Sequence, residues 1–192
     1  MENPLSVRKP DDAFAIQTFD LTRIFGKLVA VDGINLDIKK GELFAFLGPN
    51  GAGKTTTISM LCCLLKPSSG TALVMGKDIN REPYKVKATI GISPQDTTLS
   101  DHLTPIENLE LIGNLHQLPP KIVKQRAREL VETMGLEDRA KDQVRKFSGG
   151  MKRRLNIAMA LINDPQIIIL DEPTLGLDPQ SRRIVWEYIA RL

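Results

Sequence analysis

The sequence predicts a mixed α/β fold with a glycine-rich loop between strand and helix, an antiparallel sheet at one edge and an inserted all-helical segment. Three observations predict it. GPNGAGKT, Gly48 to Thr55, lies between the short apolar run LFAFL and a stretch of helical composition. AFAIQTFDL and LVAVDGINLDI alternate apolar and polar residues, as half-buried antiparallel strands do. From about Thr104 to Val144 strand signals vanish, and apolar residues recur at helical spacing in IENLELIGNLHQL and IVKQRARELVETMGL.

Residues 1–12 are polar, hold two prolines and read as a loose lead-in. The two alternating strands follow, and Gly41 turns the chain into Leu43–Leu47, an apolar run that suits a strand buried on both faces. The glycine loop then opens a helix through TTTISMLCCLL, which KPSSG ends. TALVMG predicts another strand, Pro83–Thr89 a helix, and TIGISPQ a strand running into a loop. Beyond the helical insertion, Ser148 opens a helix whose Met151, Leu155, Ala158, Met159 and Ile162 share one face. PQIIILDEP predicts a buried strand that ends in two acids, and Pro179 onward an amphipathic helix.

Composition narrows the class. With 42% hydrophobic, 26% charged and 5% aromatic residues, the 192-residue chain is that of an ordinary globular protein. A net charge of +3, spread along the chain, gives no reason to expect a nucleic-acid partner. No apolar run approaches the ~20 residues that cross a bilayer. The adjacent Cys62 and Cys63 sit in an apolar run and read as small buried side chains in a cytosolic setting.

Two motifs carry chemistry. GPNGAGKT fits G-x-x-x-x-G-K-[ST], whose backbone N–H groups wrap phosphate oxygens while the helix N-terminus adds its dipole. Lys54 is expected to reach the β- and γ-phosphates, and Thr55 to ligate Mg²⁺. A chance match somewhere in such a chain is roughly one in a hundred. IIILDEP places Asp171 and Glu172 at a strand end, where buried carboxylates are costly unless a cation compensates. Asp171 suits a Mg²⁺ shell, and Glu172 suits orienting or deprotonating an attacking water. Alone that motif reads as a structural turn; beside the glycine loop it reads as functional. FSGGMKRRL raises a question of charge. Lys152, Arg153 and Arg154 crowd a helix N-terminus, where each cation costs ~0.3–1 kcal/mol. Either that end faces an anion or the three charges are solvated.

GPNGAGKT, the Gln95 of SPQ, FSGGM and ILDEPTLGLD occur in the order found in ATP-binding cassette (ABC) ATPases. From about Ala15 to Leu192 the chain resembles the nucleotide-binding subunit of an ABC transporter, and TFDLTRIFGKLVAVDGI resembles the drug-resistance type exporter group. The resemblance implies the ABC form of the P-loop NTPase fold, running 13–192 with a helical subdomain at about 104–163. It implies ATP and Mg²⁺ as cofactors, a second cassette as head-to-tail dimer partner, and a separate transmembrane permease. That permease would dock near Asp101–Asn108, on the inner face of the cell membrane. In this chain the nucleotide would be held by Gly48, Pro49, Asn50, Gly51, Ala52, Gly53, Lys54, Thr55 and Thr56. Ser148, Gly149 and Gly150 would bind the γ-phosphate held by the other subunit, and Asp178 would belong to the loop that crosses the interface. Phe25 sits where the family stacks an aromatic on adenine, and Val31 either packs there or fills a strand core. Gln95 matches the glutamine that contacts Mg²⁺ and water. Lys54, Gln95 and Glu172 are thereby the expected catalytic residues, and Thr55, Gln95 and Asp171 the expected Mg²⁺ ligands.

The chain also departs from that pattern. Met151 replaces the signature's usual glutamine, and only His102 and His116 are present, neither where the family places its histidine. His102 reads as a loop residue and His116 as a helix-surface one. A soluble ABC ATPase acting on nucleic acid or ribosomes is the alternative, and a non-hydrolysing ATP-gated clamp a second. The helical pattern of WEYIARL has no stop signal after it, so the sequence predicts a piece of a longer protein, poorly stable by itself.

Overall fold

Twelve residues form β1, Phe14–Phe25, the strand with which three other described strands pair. The computed structural model describes residues 12–94, 99–171, 173–174 and 177–189. The chain divides into two compact units, Met1–Ile90 and Gly91–Leu192.

In the first unit β1 pairs antiparallel with three strands: β2 (Leu28–Ile34), β3 (Asp37–Lys39) and β4 (Ser69–Val74). A short β5, Lys77–Asp78, extends the sheet beyond β4. The register sets Ile16 between Ile38 and Val74, and all three are buried. Thr18 is fully buried as well, and its hydroxyl donates to Ile34 O and accepts from Leu36 N, both at 2.8 Å, so its polarity is satisfied at the turn from β2 to β3. The expected antiparallel edge sheet is therefore present. Helix α1, Lys54–Leu61, stops sooner than its apolar run, for Cys62 caps it and Cys63 takes a positive φ of 55°. Cys62 is buried, which pushes its thiol up to about 12. Helix α2, Pro83–Thr89, lies where the sequence places it.

The run Leu43–Leu47 is a correction. No strand forms there, Leu43 is 74% exposed and Leu47 91%. A strand buried on both faces needs a hydrogen-bonded neighbour and a covering layer, and among the described residues of this unit no strand lies alongside 42–47.

The second unit begins within β6, Ile90–Ser93, which pairs with β7, Ile167–Leu170. Between them lie α3 (Pro105–Leu115), α4 (Pro120–Thr133) and α5 (Gly149–Leu161), and α6 (Pro179–Ile189) follows. Thr104 and Glu107 close a reciprocal capping box at the start of α3, a feature worth about 1 kcal/mol. Leu109, Ala127, Val131, Met134, Leu136, Leu155, Ala158 and Ile162 form one apolar core. Most of the face expected of α5 is thus buried, with Met151 half-buried at its edge.

β6 and α5 touch through Gly91. A Cβ there would collide with the Ala160 carbonyl oxygen and come within 2.9 Å of Pro165 Cγ. Gly91→Ala is expected to cost about 1–3 kcal/mol by overpacking, read as a lower denaturant midpoint at unchanged slope. An unchanged midpoint would show that α5 and β6 have room between them.

Candidate functional site

The glycine loop is built from positive-φ glycines. Gly48, Gly51 and Gly53 have φ of 155°, 85° and 81°. At Gly53 both conformation and space exclude a side chain, because a Cβ would meet the Ala30 carbonyl oxygen on β2 and lie 3.2 Å from Val31 Cγ2. Val31 itself is buried at 4%, so of its two readings the strand-core one holds. Gly53 caps α1 without a side chain, so no cap side chain takes up the first N–H groups of the helix. The loop is pinned by Ala52 N donating to Pro49 O at 3.2 Å and Thr57 N to Gly53 O at 2.8 Å. Lys54 curls back over it, and its Nζ donates to Gly48 O at 2.7 Å and Pro49 O at 2.9 Å. Gly48, Pro49, Asn50, Gly51, Ala52 and Thr55 are exposed; Gly53, Lys54 and Thr56 are half-buried. The arrangement is a glycine-rich loop opening a helix that no side chain caps, with an ammonium folded across it.

Phe25 ends β1 opposite Leu28, and 44% of its surface is exposed. The Arg23 guanidinium lies 4.5 Å from its ring centroid, and Arg23 Nη1 donates to Lys66 O at 2.8 Å. One face of Phe25 thus holds a cation.

In the second unit, Ser148 caps α5 by accepting from Met151 N at 3.3 Å. Ser148 and Gly149 are exposed and Gly150 buried. The three basic residues that follow take three separate fates, and each has partners within the chain. Lys152 Nζ pairs with Asp101 Oδ1 at 2.7 Å, half-exposed. Arg154 Nη1 donates to Met134 O at 2.6 Å and Gly135 O at 3.1 Å, while burial pulls its pKa down from the usual arginine range. Arg153 is buried at 5%, a rare state for an arginine, and is spent on backbone carbonyls of Pro94, Asp171 and Pro173. So neither alternative from the sequence is the whole answer: among the described residues, backbone carbonyls and the Asp101 carboxylate are hydrogen-bonded to these cations. Sequence reasoning missed Arg153, whose one signal is Asn156, a second polar residue one turn on in an otherwise apolar stretch.

Asp171 directly follows β7, and its N–H donates to Ser93 O at 3.0 Å. Asp178 is exposed at the start of α6, and Arg182 N donates to its carbonyl at 3.0 Å. Gln95 and Glu172 lie outside the described residues. His102 is exposed in a turn and His116 exposed at the end of α3, as the sequence suggests. Among the described residues no group of three or more His, Cys, Asp or Glu could hold a metal ion, and no helix is long and apolar enough to cross a membrane.

Comparison places this arrangement. A solved dimeric cassette, MJ0796, caught in a post-hydrolysis state with ADP and Pi, matches 92% of this chain and 82% of its own at 30% identity and a TM-score of 0.81. CbiO1 of Clostridium perfringens, part of the ABC transporter complex CbiONQ, matches 93% and 73% at 30% identity and a TM-score of 0.83. The fold is that of the P-loop ATP-binding cassettes. The ABC transporter family model matches residues 31–175, and the chain belongs to that family. The linearmycin resistance ATP-binding protein LnrL of Bacillus subtilis is 47% identical over 92% of this chain and 57% of its own. The daunorubicin/doxorubicin resistance ATP-binding protein DrrA of Streptomyces peucetius is 42% identical over 93% and 54%. The chain therefore spans about half the length of the curated relatives it matches.

Proposed function

We propose that this chain is the ATP-binding and ATP-hydrolysing part of an exporter-type ABC transporter, working as a head-to-tail pair of cassettes with a separate permease at the inner face of the membrane. In this reading residues 13–192 form one nucleotide-binding domain with a helical subdomain at about 104–163. The observation that carries it is the loop of Gly48–Thr55. Its glycine cap puts no side chain on the first N–H groups of α1, and Lys54 lies across it on two carbonyls that a phosphate can replace as partner. Likeness to antibiotic-resistance proteins such as LnrL and DrrA supports export.

Roles follow residue by residue. The loop, with Thr55 and Thr56, binds the phosphates, and Phe25 stacks its free face on adenine. Ser148, Gly149 and Gly150 offer a capped helix end to the γ-phosphate of the partner cassette, and Asp178 crosses the interface. Glu172 and Gln95 orient the attacking water. Mg²⁺ takes hard oxygen donors and keeps several waters, which the Thr55 hydroxyl, the Asp171 carboxylate and the Gln95 amide fit. It would supply charge neutralisation on the phosphates. The stretch Asp101–Asn108 docks the permease. Asn108 is buried, donates to Ser100 O and Thr104 O at 3.1 and 3.0 Å, and accepts from Ser100 N at 2.9 Å.

The test uses the full-length protein, with and without a membrane partner, beside Ser148→Arg. That variant puts bulk and charge where the partner's nucleotide is to sit. Nucleotide binding to the monomer is expected to survive while dimer-dependent hydrolysis falls by at least ~10²-fold, in line with loss of transition-state charge placement. If binding itself disappears, Ser148 belongs to its own subunit's pocket and the head-to-tail reading fails.

A further inference from the structure

We infer that Arg153, seconded by Asn156, is a positioning residue that fixes the exits of β6 and β7, and with them the peptide links leading into Gln95 and Glu172. The inference rests on the function proposed above.

The geometry is specific. Arg153 Nη1 donates to Pro94 O at 2.6 Å, Nε to Pro173 O at 3.1 Å, and Nη2 to Asp171 O. Asn156, one turn further along α5 and 2% exposed, donates from Nδ2 to the same Pro94 O at 3.1 Å and to Ser93 Oγ at 3.2 Å. Pro94 O thus accepts from both side chains. Each acceptor adjoins a residue with a proposed chemical role. The Pro94 carbonyl belongs to the peptide bond with Gln95, the Asp171 carbonyl to that with Glu172, and Pro173 follows Glu172 directly.

The chemistry demands a reason for such an arginine. A guanidinium drawn out of water is costly unless its donors are met, and a leucine would fill the same volume on an apolar helix. Arginine is the side chain whose rigid planar fork can hold several carbonyls in fixed relation. Among the described residues Pro94 and Pro173 belong to no strand, so a fork bonded to both sets one exit against the other. The close approach of α5 to β6 at Gly91 keeps the fork at a set height, because the helix can move no nearer. Signature helix and strand exits are thereby one piece. In this reading Ser148, at one end of α5, and the two strand exits are held together through Arg153, without Arg153 touching nucleotide.

The test compares wild type, Arg153→Met, Asn156→Leu, Glu172→Gln and the double variant Arg153→Met/Glu172→Gln in the full-length protein. Hydrogen–deuterium exchange reads the tether directly. Peptides spanning 93–96 and 170–174 are expected to exchange at least about tenfold faster in Arg153→Met, and less so in Asn156→Leu, while peptides from α1 and β1 keep their rates. Kinetics read its purpose. Nucleotide Kd is expected to stay within about threefold and kcat to fall about 10–100-fold, as misplacement of a catalytic group by an ångström does. Arg153→Met in the Glu172→Gln background is expected to lose little more, because the group it positions is already disabled. Unchanged exchange at both exits overturns the inference whatever the turnover. So does faster exchange with unchanged kcat, or a loss that multiplies fully with Glu172→Gln. A wild-type protein that binds but does not hydrolyse ATP overturns the proposed function instead, and the exchange rates still decide the tether.

Discussion

Lys54→Ala is expected to weaken ATP binding by about 100-fold or more. Two charge-assisted hydrogen bonds to phosphate oxygens, at about 1.5–3 kcal/mol each, are lost with the ammonium. The tenfold-per-1.4 kcal/mol conversion puts the combined loss at that level or above. In the structure Lys54 Nζ is held by Gly48 O and Pro49 O, so the substitution also frees two loop carbonyls. Both belong to exposed residues, and water can satisfy them at small cost. The fold should therefore persist, with an unfolding midpoint close to wild type. Titration calorimetry with ATP gives the affinity, and a thermal melt supplies the control for folding. Wild-type affinity in Lys54→Ala would remove the phosphate-loop assignment, and with it the support for every role built on that loop.

Some of this was legible because local signals and tertiary context agree. β1 and β2 alternate in sequence and pair in space, and Pro83–Thr89 is a helix in both. The start of α5 at Ser148 was legible as a polar residue before apolar periodicity, whereas the cap at Thr104 was not. Leu43–Leu47 was not, because five apolar residues specify burial only if neighbouring strands are there to provide it. The end of α1 was misjudged for a related reason. SMLCCLL is apolar throughout, and nothing in its composition signals the positive φ at Cys63 that breaks the helix. Lys152, Arg153 and Arg154 show the deeper limit. Three cations in a row are one word in sequence, but successive helical residues point about 100° apart. One reaches a carboxylate, one the carbonyls after α4, and one the exits of two strands. Which does which depends on elements far away along the chain.

Glu172→Gln is expected to lower ATP turnover by at least ~10²-fold while ATP-dependent dimers persist. The amide keeps the size of the carboxylate and one of its acceptor oxygens, but it has no negative charge to polarise water and cannot take its proton. Nucleotide binding does not depend on that charge, since the proposed phosphate contacts come from the loop and Lys54. Removing a carboxylate from beside the γ-phosphate relieves repulsion, so the ATP-bound pair should be longer-lived, not weaker. The residues on either side of Glu172 in sequence are tied down. Asp171 N is bonded to Ser93 O at 3.0 Å, and Arg153 holds the Asp171 and Pro173 carbonyls on either side. Loss of turnover can then be ascribed to the missing charge and not to a displaced strand. Gel filtration with and without ATP separates the outcomes. A dimer peak that appears with ATP and lasts for hours, beside turnover reduced as stated, is the expected result. A variant that stays monomeric and still hydrolyses at the wild-type rate would show that neither the carboxylate nor the paired cassette does the chemistry.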